Sequence, residues 1–169
     1  MISRKKLPIG VDNFEKIIRQ EFYYVDKTRM IADLLRNWGE VNLFTRPRRF
    51  GKTLNMDMLN CFFSNRYECR GDLFEGLAIW KEERYRDLQG KYPVIYVTFK
   101  DVKCEDWETA YDLIYKILRN EFERHSELLA SDKISAYEKQ YLTSVLSGEA
   151  NENDVACAFL NLSRLLHLH

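Results

Sequence analysis

Three consecutive residues, Gly51, Lys52 and Thr53, have the types and order of a loop that binds phosphate. In the pattern G-x-x-x-x-G-K-S/T, the last glycine lets the backbone approach the anion, the lysine reaches the β- and γ-phosphates, and the hydroxyl coordinates Mg²⁺. The first glycine of the pattern is replaced by Arg46, and Pro47 follows it. Proline removes one backbone donor and restricts the residue before it to an extended conformation, so this loop must begin differently.

The arginines that follow would compensate for the lost glycine. A guanidinium group can donate two parallel hydrogen bonds to a phosphate, and it stays charged at any relevant pH. Arg48 and Arg49 would therefore add donors to the loop. The alternative is a basic surface turn that joins two elements. The candidate nucleotide-binding residues are Arg46, Pro47, Arg48, Arg49, Phe50, Gly51, Lys52 and Thr53, with Thr53 also the candidate Mg²⁺ ligand.

A phosphate loop has to lie between a strand and a helix, and the sequence predicts both. The apolar run Val41–Phe44 reads as a buried strand, and the residues after Lys52 are apolar on nearly all sides, as in a buried helix. The run Tyr92–Phe99 is β-branched and aromatic throughout and predicts a second strand. Asp26 and Lys27, in the segment YVDKT, read as the start of another helix.

Helices are predicted on both sides of these segments. One begins near Asn13, and one runs from Lys27 to Trp38. Three more are expected after residue 106, the second of them opened by Ser135 and closed by Gly148.

Hydrolysis of a nucleotide needs an acidic residue at the end of a neighbouring strand to hold Mg²⁺. Asp101 is the weak candidate for this catalytic role, because Lys100 and Thr98 interrupt the apolar run before it. Asp101 reads more readily as a helix cap or a solvated loop residue.

Composition narrows the class of protein. The 169 residues include 26 basic and 26 acidic side chains, so no global field would hold the chain on nucleic acid or on an anionic membrane. No apolar run approaches the roughly 18 residues of a membrane span, and the N-terminal segment MISRKKLPIG has basic residues without the apolar segment of a secretory signal behind them. We therefore expect a cytoplasmic protein. Its four cysteines lack a C-x-x-C pair and are expected to be reduced and mostly buried.

Five ordered blocks resemble the prokaryotic AAA-ATPase-like family of P-loop proteins: LPIGVDNFEKII, FYYVDKT, RPRRFGKT, LFEGLAIW and YPVIYVTFKDV. The resemblance implies an α/β fold, an incomplete P-loop NTPase-like three-layer arrangement with a short parallel sheet and a helical C-terminal part. It implies ATP with Mg²⁺ as the ligand, and an arginine-rich loop as the family's own form. Asp26 and Lys27 would then lie near the nucleotide.

Members of that family commonly continue into an acidic strand and a restriction-endonuclease-like nuclease domain. Neither follows here, so residues 1–169 are expected to be a single, C-terminally incomplete domain, and hydrolysis is expected to be absent or impaired. Nucleic acid would be a partner only in a full-length protein with the nuclease. Two alternatives stay open, namely a nucleic-acid-binding module that stacks bases on Phe50, Tyr23 and Tyr24, and a truncated remnant without a ligand.

Overall fold

The computed structural model describes residues 5–37, 39–45, 47 and 50–169. The chain divides into two compact units, Met1–Val94 and Ile95–His169.

Within its described residues, the first unit contains three α-helices and four short 3₁₀ turns. The helices are α1 (Phe14–Arg19), α2 (Arg29–Asn37) and α3 (Lys52–Phe63). The 3₁₀ turns follow α3 at Asn65–Tyr67, Gly71–Phe74, Ile79–Lys81 and Glu83–Leu88. The predicted helix from Lys27 to Trp38 is confirmed as α2 within its described part, and Trp38 itself lies outside the described residues.

The core of this unit lies where α1, α2, α3 and the 3₁₀ turns meet. It is strongly aromatic: Phe74 stacks on Phe14 with ring centroids 5.2 Å apart and meets the edge of Phe62 at the same separation. Fully buried apolar side chains of this core include Phe14, Ile31, Ala32, Met58, Cys61, Phe62 and Phe74. Burial of these large apolar side chains is the main favourable term holding the unit together.

The second unit is helical, with α4 (Trp107–Arg124), a 3₁₀ turn (Ser126–Ala130), α5 (Ala136–Ser147), α6 (Glu152–Ala156) and α7 (Ala158–Leu168). The predicted start and end of α5 are confirmed. Ser135 and Glu138 form a reciprocal capping box, and Gly148 closes the helix in a left-handed conformation. The last predicted helix is divided into α6 and α7 at Cys157.

Leucine side chains dominate the second core, which is separate from the first. Leu118 and Phe122 of α4 pack there with Leu142 and Val145 of α5 and with Leu162 of α7. Their spacing of three or four residues within each helix is the pattern from which these helices are predicted.

The α/β fold class predicted from the sequence is wrong. Within the described ranges the backbone contains no strand and no sheet, only one isolated parallel bridge between Ser64 and Tyr92. Val41–Phe44 has no regular secondary structure, and the side chains of Val41 and Leu43 are 88% and 85% exposed. The segment after Val94 is irregular as well.

The physical reason is that β propensity describes how well a side chain fits a sheet, and cross-strand pairing supplies most of the stability. In the predicted second strand, the backbone N–H of Tyr96 donates to the Glu121 carboxylate at 2.8 Å instead of to another strand. In the predicted first strand, the Asn42 side-chain amide donates to the Gly39 carbonyl at 2.9 Å, a contact within the same segment. A carboxylate therefore takes the place of a ladder partner at Tyr96, and Asn42 bonds locally.

Candidate functional site

The predicted phosphate loop leads into the N-terminus of α3, as the sequence indicates. Gly51 is the residue before the helix, and its φ of 73° places it in the left-handed region that glycine adopts without strain. Lys52 and Thr53 are the first two helical residues, and both are exposed. The first N–H groups of a helix have no partner within the helix, so this end carries a partial positive charge.

A cavity of ≈ 570 Å³ opens beside this helix start. One wall is a stripe at spacing i, i+3, i+6, formed by Lys27, Met30 and Asp33 on and just before α2. The facing wall comes from the first turns of α3. The residues that line the cavity are Lys27, Met30, Asp33, Phe44, Phe50, Lys52, Asn55 and Met56. Counted over the described residues, the cavity lining has two lysines, an apolar and aromatic surface, and one carboxylate.

Lys27 lies close to the glycine of the loop. A Cβ built on Gly51 would stand 3.9 Å from Lys27 Nζ, the only atom that such a Cβ would meet within 4 Å among the described residues. The absence of a side chain at position 51 thus leaves open the space between the loop backbone and this ammonium group.

The backbone on both sides of Lys27 is fixed by hydrogen bonds. Asp26 accepts from the backbone N–H and the hydroxyl of Thr28, at 2.8 and 2.7 Å, and from the backbone N–H of Ala78 at 2.7 Å. The Thr28 hydroxyl in turn accepts from the N–H of Ile79 at 3.1 Å. Partial burial opposes ionisation of Asp26, but the bonds from Thr28 and Ala78 outweigh it and hold the pKa of the carboxyl below its ordinary value.

These bonds confirm that Asp26 and Thr28 organise the start of α2. They also explain why the block LFEGLAIW matters to the site, since Ala78 and Ile79 belong to it. The sequence pattern missed this link because the two segments are about fifty residues apart.

Helix α3 is held from its other side by Asp57. This carboxylate is 8% exposed and accepts from the backbone N–H of Phe14, the first residue of α1, at 2.6 Å. An anion at a helix N-terminus is favourable because it meets unpaired donors and the positive end of the dipole. The predicted start of α1 near Asn13 is confirmed, with Asn13 as the cap.

The structure brings together part of the predicted site. Phe50 and Lys52 line the cavity, Gly51 precedes α3, and Thr53 is exposed at the second helical position. Pro47 is exposed in irregular backbone. Arg46, Arg48 and Arg49 lie outside the described residues.

Asp101, the weak catalytic candidate, is an exposed turn residue of the second unit. The cap of α4 is Asp106, whose side chain accepts from the N–H of Thr109 at 2.7 Å.

The family resemblance implies that Lys27 lies near the nucleotide, whereas sequence reasoning did not place Asp33 in the site. The available signal for Asp33 was its spacing, because Lys27, Met30 and Asp33 recur every three residues on and just before α2.

Tyr24, one of the aromatic residues considered for nucleic-acid stacking, is half-buried and packs against the core. Its ring meets Phe14 edge-on at 5.5 Å, and its hydroxyl donates to the sulfur of Met58 at 3.4 Å. Burial raises the pKa of Tyr24 to about 12. Tyr23 and Phe50 are exposed, by 54% and 59%.

Among the described residues, no group of three or more His, Cys, Asp or Glu side chains is arranged to hold a metal ion. The helices in this part of the chain are all too short or too polar to cross a membrane.

Comparison with known proteins adds independent information. The chain is 39% identical over 99 residues to a protein of Azotobacter chroococcum mcd 1 described as "Uncharacterized protein in vnfD 5'region". The match covers 58% of this chain and 18% of that protein, so the chain spans only a small part of the relative's length. No solved structure matches the chain. The family model described as "AAA-ATPase_like: Predicted AAA-ATPase" matches residues 8–158, and the chain therefore belongs to the AAA-ATPase-like family.

Proposed function

We propose that this chain binds a nucleoside triphosphate, with ATP and Mg²⁺ as the ligand, at the cavity beside the N-terminus of α3. The single observation that carries the proposal is the position of Lys52, which follows a left-handed Gly51, opens a 12-residue helix and lines that cavity. Membership of a family of predicted ATPases supports the same class of ligand.

The residues present fit a triphosphate. Gly51 leaves the space in front of Lys27 Nζ open, and the first turn of α3 presents backbone donors and the positive end of its dipole. Lys52 would supply charge to the phosphates, and Met30, Phe44, Phe50 and Met56 offer an apolar surface for the rest of the ligand. The contribution of Arg46, Pro47, Arg48 and Arg49 to the same site is proposed from the sequence alone.

Mg²⁺ would enter with the nucleotide. This ion typically takes one or two protein oxygens and completes its octahedron with phosphates and water. Thr53 supplies the protein hydroxyl, and the ion would neutralise charge on the phosphates.

We propose binding without efficient hydrolysis. Transfer of a phosphoryl group to water requires a group that orients the attacking water and an acidic metal ligand. Asp33 is the one carboxylate among the described cavity residues, and it pairs with Arg36 at 3.3 Å. Phosphate release from ATP above the level of a protein-free control, abolished by Lys52→Ala, would overturn this part of the proposal.

Calorimetric titration of the full chain with Mg-ATP tests binding. Lys52→Ala should weaken binding at least tenfold, since hydrogen bonds to charged groups are among the strongest that proteins make. The matched control is Lys16→Ala, which removes an exposed lysine on α1 outside the cavity. Equal affinity of Lys52→Ala and the wild-type chain would refute the proposal.

The observations favour a nucleotide over nucleic acid as the ligand, because Tyr24, one of the three aromatic residues considered for base stacking, packs against the core. The nuclease domain expected from the resemblance stays a prediction about a longer protein.

A further inference from the structure

We propose that Lys27 is a second phosphate-binding lysine, acting across the cavity from Lys52. This inference rests on the proposed function and goes beyond it, since it assigns a cation from a different element to the phosphate group of the ligand.

The first step in the argument is the shared cavity. Lys27 precedes α2 and Lys52 opens α3, yet both side chains line the same ≈ 570 Å³ space. Two lysines that line one cavity concentrate positive charge there, and this charge favours an anion of high charge. A polyphosphate is such an anion.

The second step is the position of Nζ relative to the loop. Lys27 Nζ lies 3.9 Å from the point that a Cβ on Gly51 would occupy. The backbone of Gly51 is where the proposed site brings the anion close to the chain. A phosphate held at this backbone would therefore lie within reach of Lys27.

The third step is that the hydrogen bonds at the start of α2 do not involve the ammonium group of Lys27. The start of α2 is built from Asp26, from Thr28 and from the carbonyl of Lys27, which accepts from the N–H of Met30 at 3.0 Å. None of these bonds uses the ammonium group. Within the described part of the chain, Lys27 forms no ion pair, whereas Arg36 and Arg70 in the same unit each have carboxylate partners.

The test compares Lys27→Met with Lys52→Ala and Lys16→Ala in the full chain. Methionine retains an apolar stem of similar length and removes only the charge, and circular dichroism checks that α2 is preserved. Lys27→Arg keeps the charge and serves as the rescue variant. The probes are Mg-ATP, inorganic tripolyphosphate and adenosine, titrated by calorimetry.

We expect Lys27→Met to weaken the binding of Mg-ATP and of tripolyphosphate about tenfold, which is the scale of a lost charge-assisted hydrogen bond. The affinity for adenosine should not change. Lys27→Arg should recover most of the affinity. The logarithmic dependence of Mg-ATP affinity on salt concentration should become shallower in Lys27→Met, because one fewer cation contacts the ligand.

The outcomes separate the two proposals. If Lys52→Ala loses affinity while Lys27→Met behaves like Lys16→Ala, Lys27 is not a ligand group and this inference is wrong. If neither Lys52→Ala nor Lys27→Met changes affinity, the phosphate site itself is wrong. If Lys27→Met weakens the binding of adenosine as strongly as that of tripolyphosphate, Lys27 shapes the cavity and does not bind phosphate, and the inference is wrong.

Discussion

The carboxylate of Asp57 accepts a hydrogen bond from the backbone N–H of Phe14 at 2.6 Å, and this bond joins α3 to the N-terminus of α1 across 43 residues of sequence. Both residues are buried. The helix that carries the candidate phosphate site is thus anchored on its inner side by an anion, while its outer end faces the cavity.

Loss of the Asp57 carboxylate should destabilise the first unit. Asp57→Ala leaves the buried N–H of Phe14 without an acceptor, and we expect the free energy of unfolding to fall by about 1.5–3 kcal/mol. Asp57→Asn keeps an acceptor oxygen and should lower the free energy of unfolding by a smaller amount. Urea denaturation followed by circular dichroism measures both, with the exposed Asp87→Asn as control. Equal stability of Asp57→Ala and Asp87→Asn would contradict the structural role.

Alanine substitutions at two glycines with similar φ angles distinguish the effect of backbone strain from an effect on ligand binding. Gly51 has a φ of 73° and Gly76 a φ of 78°, and neither would bring a Cβ into a clash. Substitution by alanine should therefore lower the free energy of unfolding by a similar amount, about 1–2 kcal/mol, because both positions are left-handed. Only Gly51→Ala should weaken Mg-ATP binding in calorimetry. Equal binding by the two variants would show that the backbone at Gly51 does not approach the ligand.

The buried pair Glu121 and His125 should give the second unit a pH dependence. Burial disfavours charge on His125, but hydrogen bonds to Glu121 and Glu127 outweigh it and raise the pKa of the imidazole above 6.5. Burial likewise opposes the charge on Glu121. The bond with His125 and the donors Tyr96 N–H and Arg124 hold the pKa of this carboxyl below 4.5.

The sign follows from linkage. A raised histidine pKa stabilises the folded chain below its ordinary pKa, and this stabilisation is lost as pH rises through the folded pKa. A lowered carboxyl pKa stabilises it above the ordinary value, and this is lost as pH falls through the folded pKa. The pair should therefore contribute most between about pH 4.5 and 6.5, set by the ordinary values. Urea denaturation at pH 5.5 and pH 8.5 should show a larger loss of stability for the wild-type chain than for His125→Gln; parallel behaviour would count against the pair.

The cysteines should differ in reactivity according to burial. Cys61 is fully buried, and burial together with the nearby Asp57 raises the pKa of its thiol to about 12. Cys69 and Cys157 are exposed, contrary to the expectation that most cysteines are buried. A thiol-specific reagent followed by peptide mass spectrometry should label Cys69 and Cys157 in the folded chain, and Cys61 only after unfolding, because the thiolate is the reactive form. Early labelling of Cys61 would contradict its place in the core.

Local signals predicted the helices well. Ser135, Glu138 and Gly148 fix α5 because a capping box and a left-handed glycine act within one turn of the helix end. The prediction of strands was wrong because strand formation depends on non-local partners. Val41–Phe44 has strand-like residues, but a strand is stable only when a neighbour pairs with it, and that information is not local.

The candidate site shows the same division. Phe50, Gly51 and Lys52 are recognised from one contiguous pattern, whereas Lys27 and Asp33 enter the cavity through the packing of α2 beside α3. The hydrogen bond between Asp57 and Phe14 was likewise not predicted, because a single Asp in a helical segment is usually interpreted as a surface residue.

The hydrogen bonds of Asp26 and Thr28 have a thermodynamic consequence for the lysine between them. Fixing the backbone of one residue costs about 1–2 kcal/mol of conformational entropy. At position 27 this loss occurs when the chain folds, because Thr28, Ala78 and Ile79 already hold both neighbours in place. Only the torsions of the Lys27 side chain are left to be ordered by a ligand, so the entropy lost when an anion binds at this position is confined to the side chain.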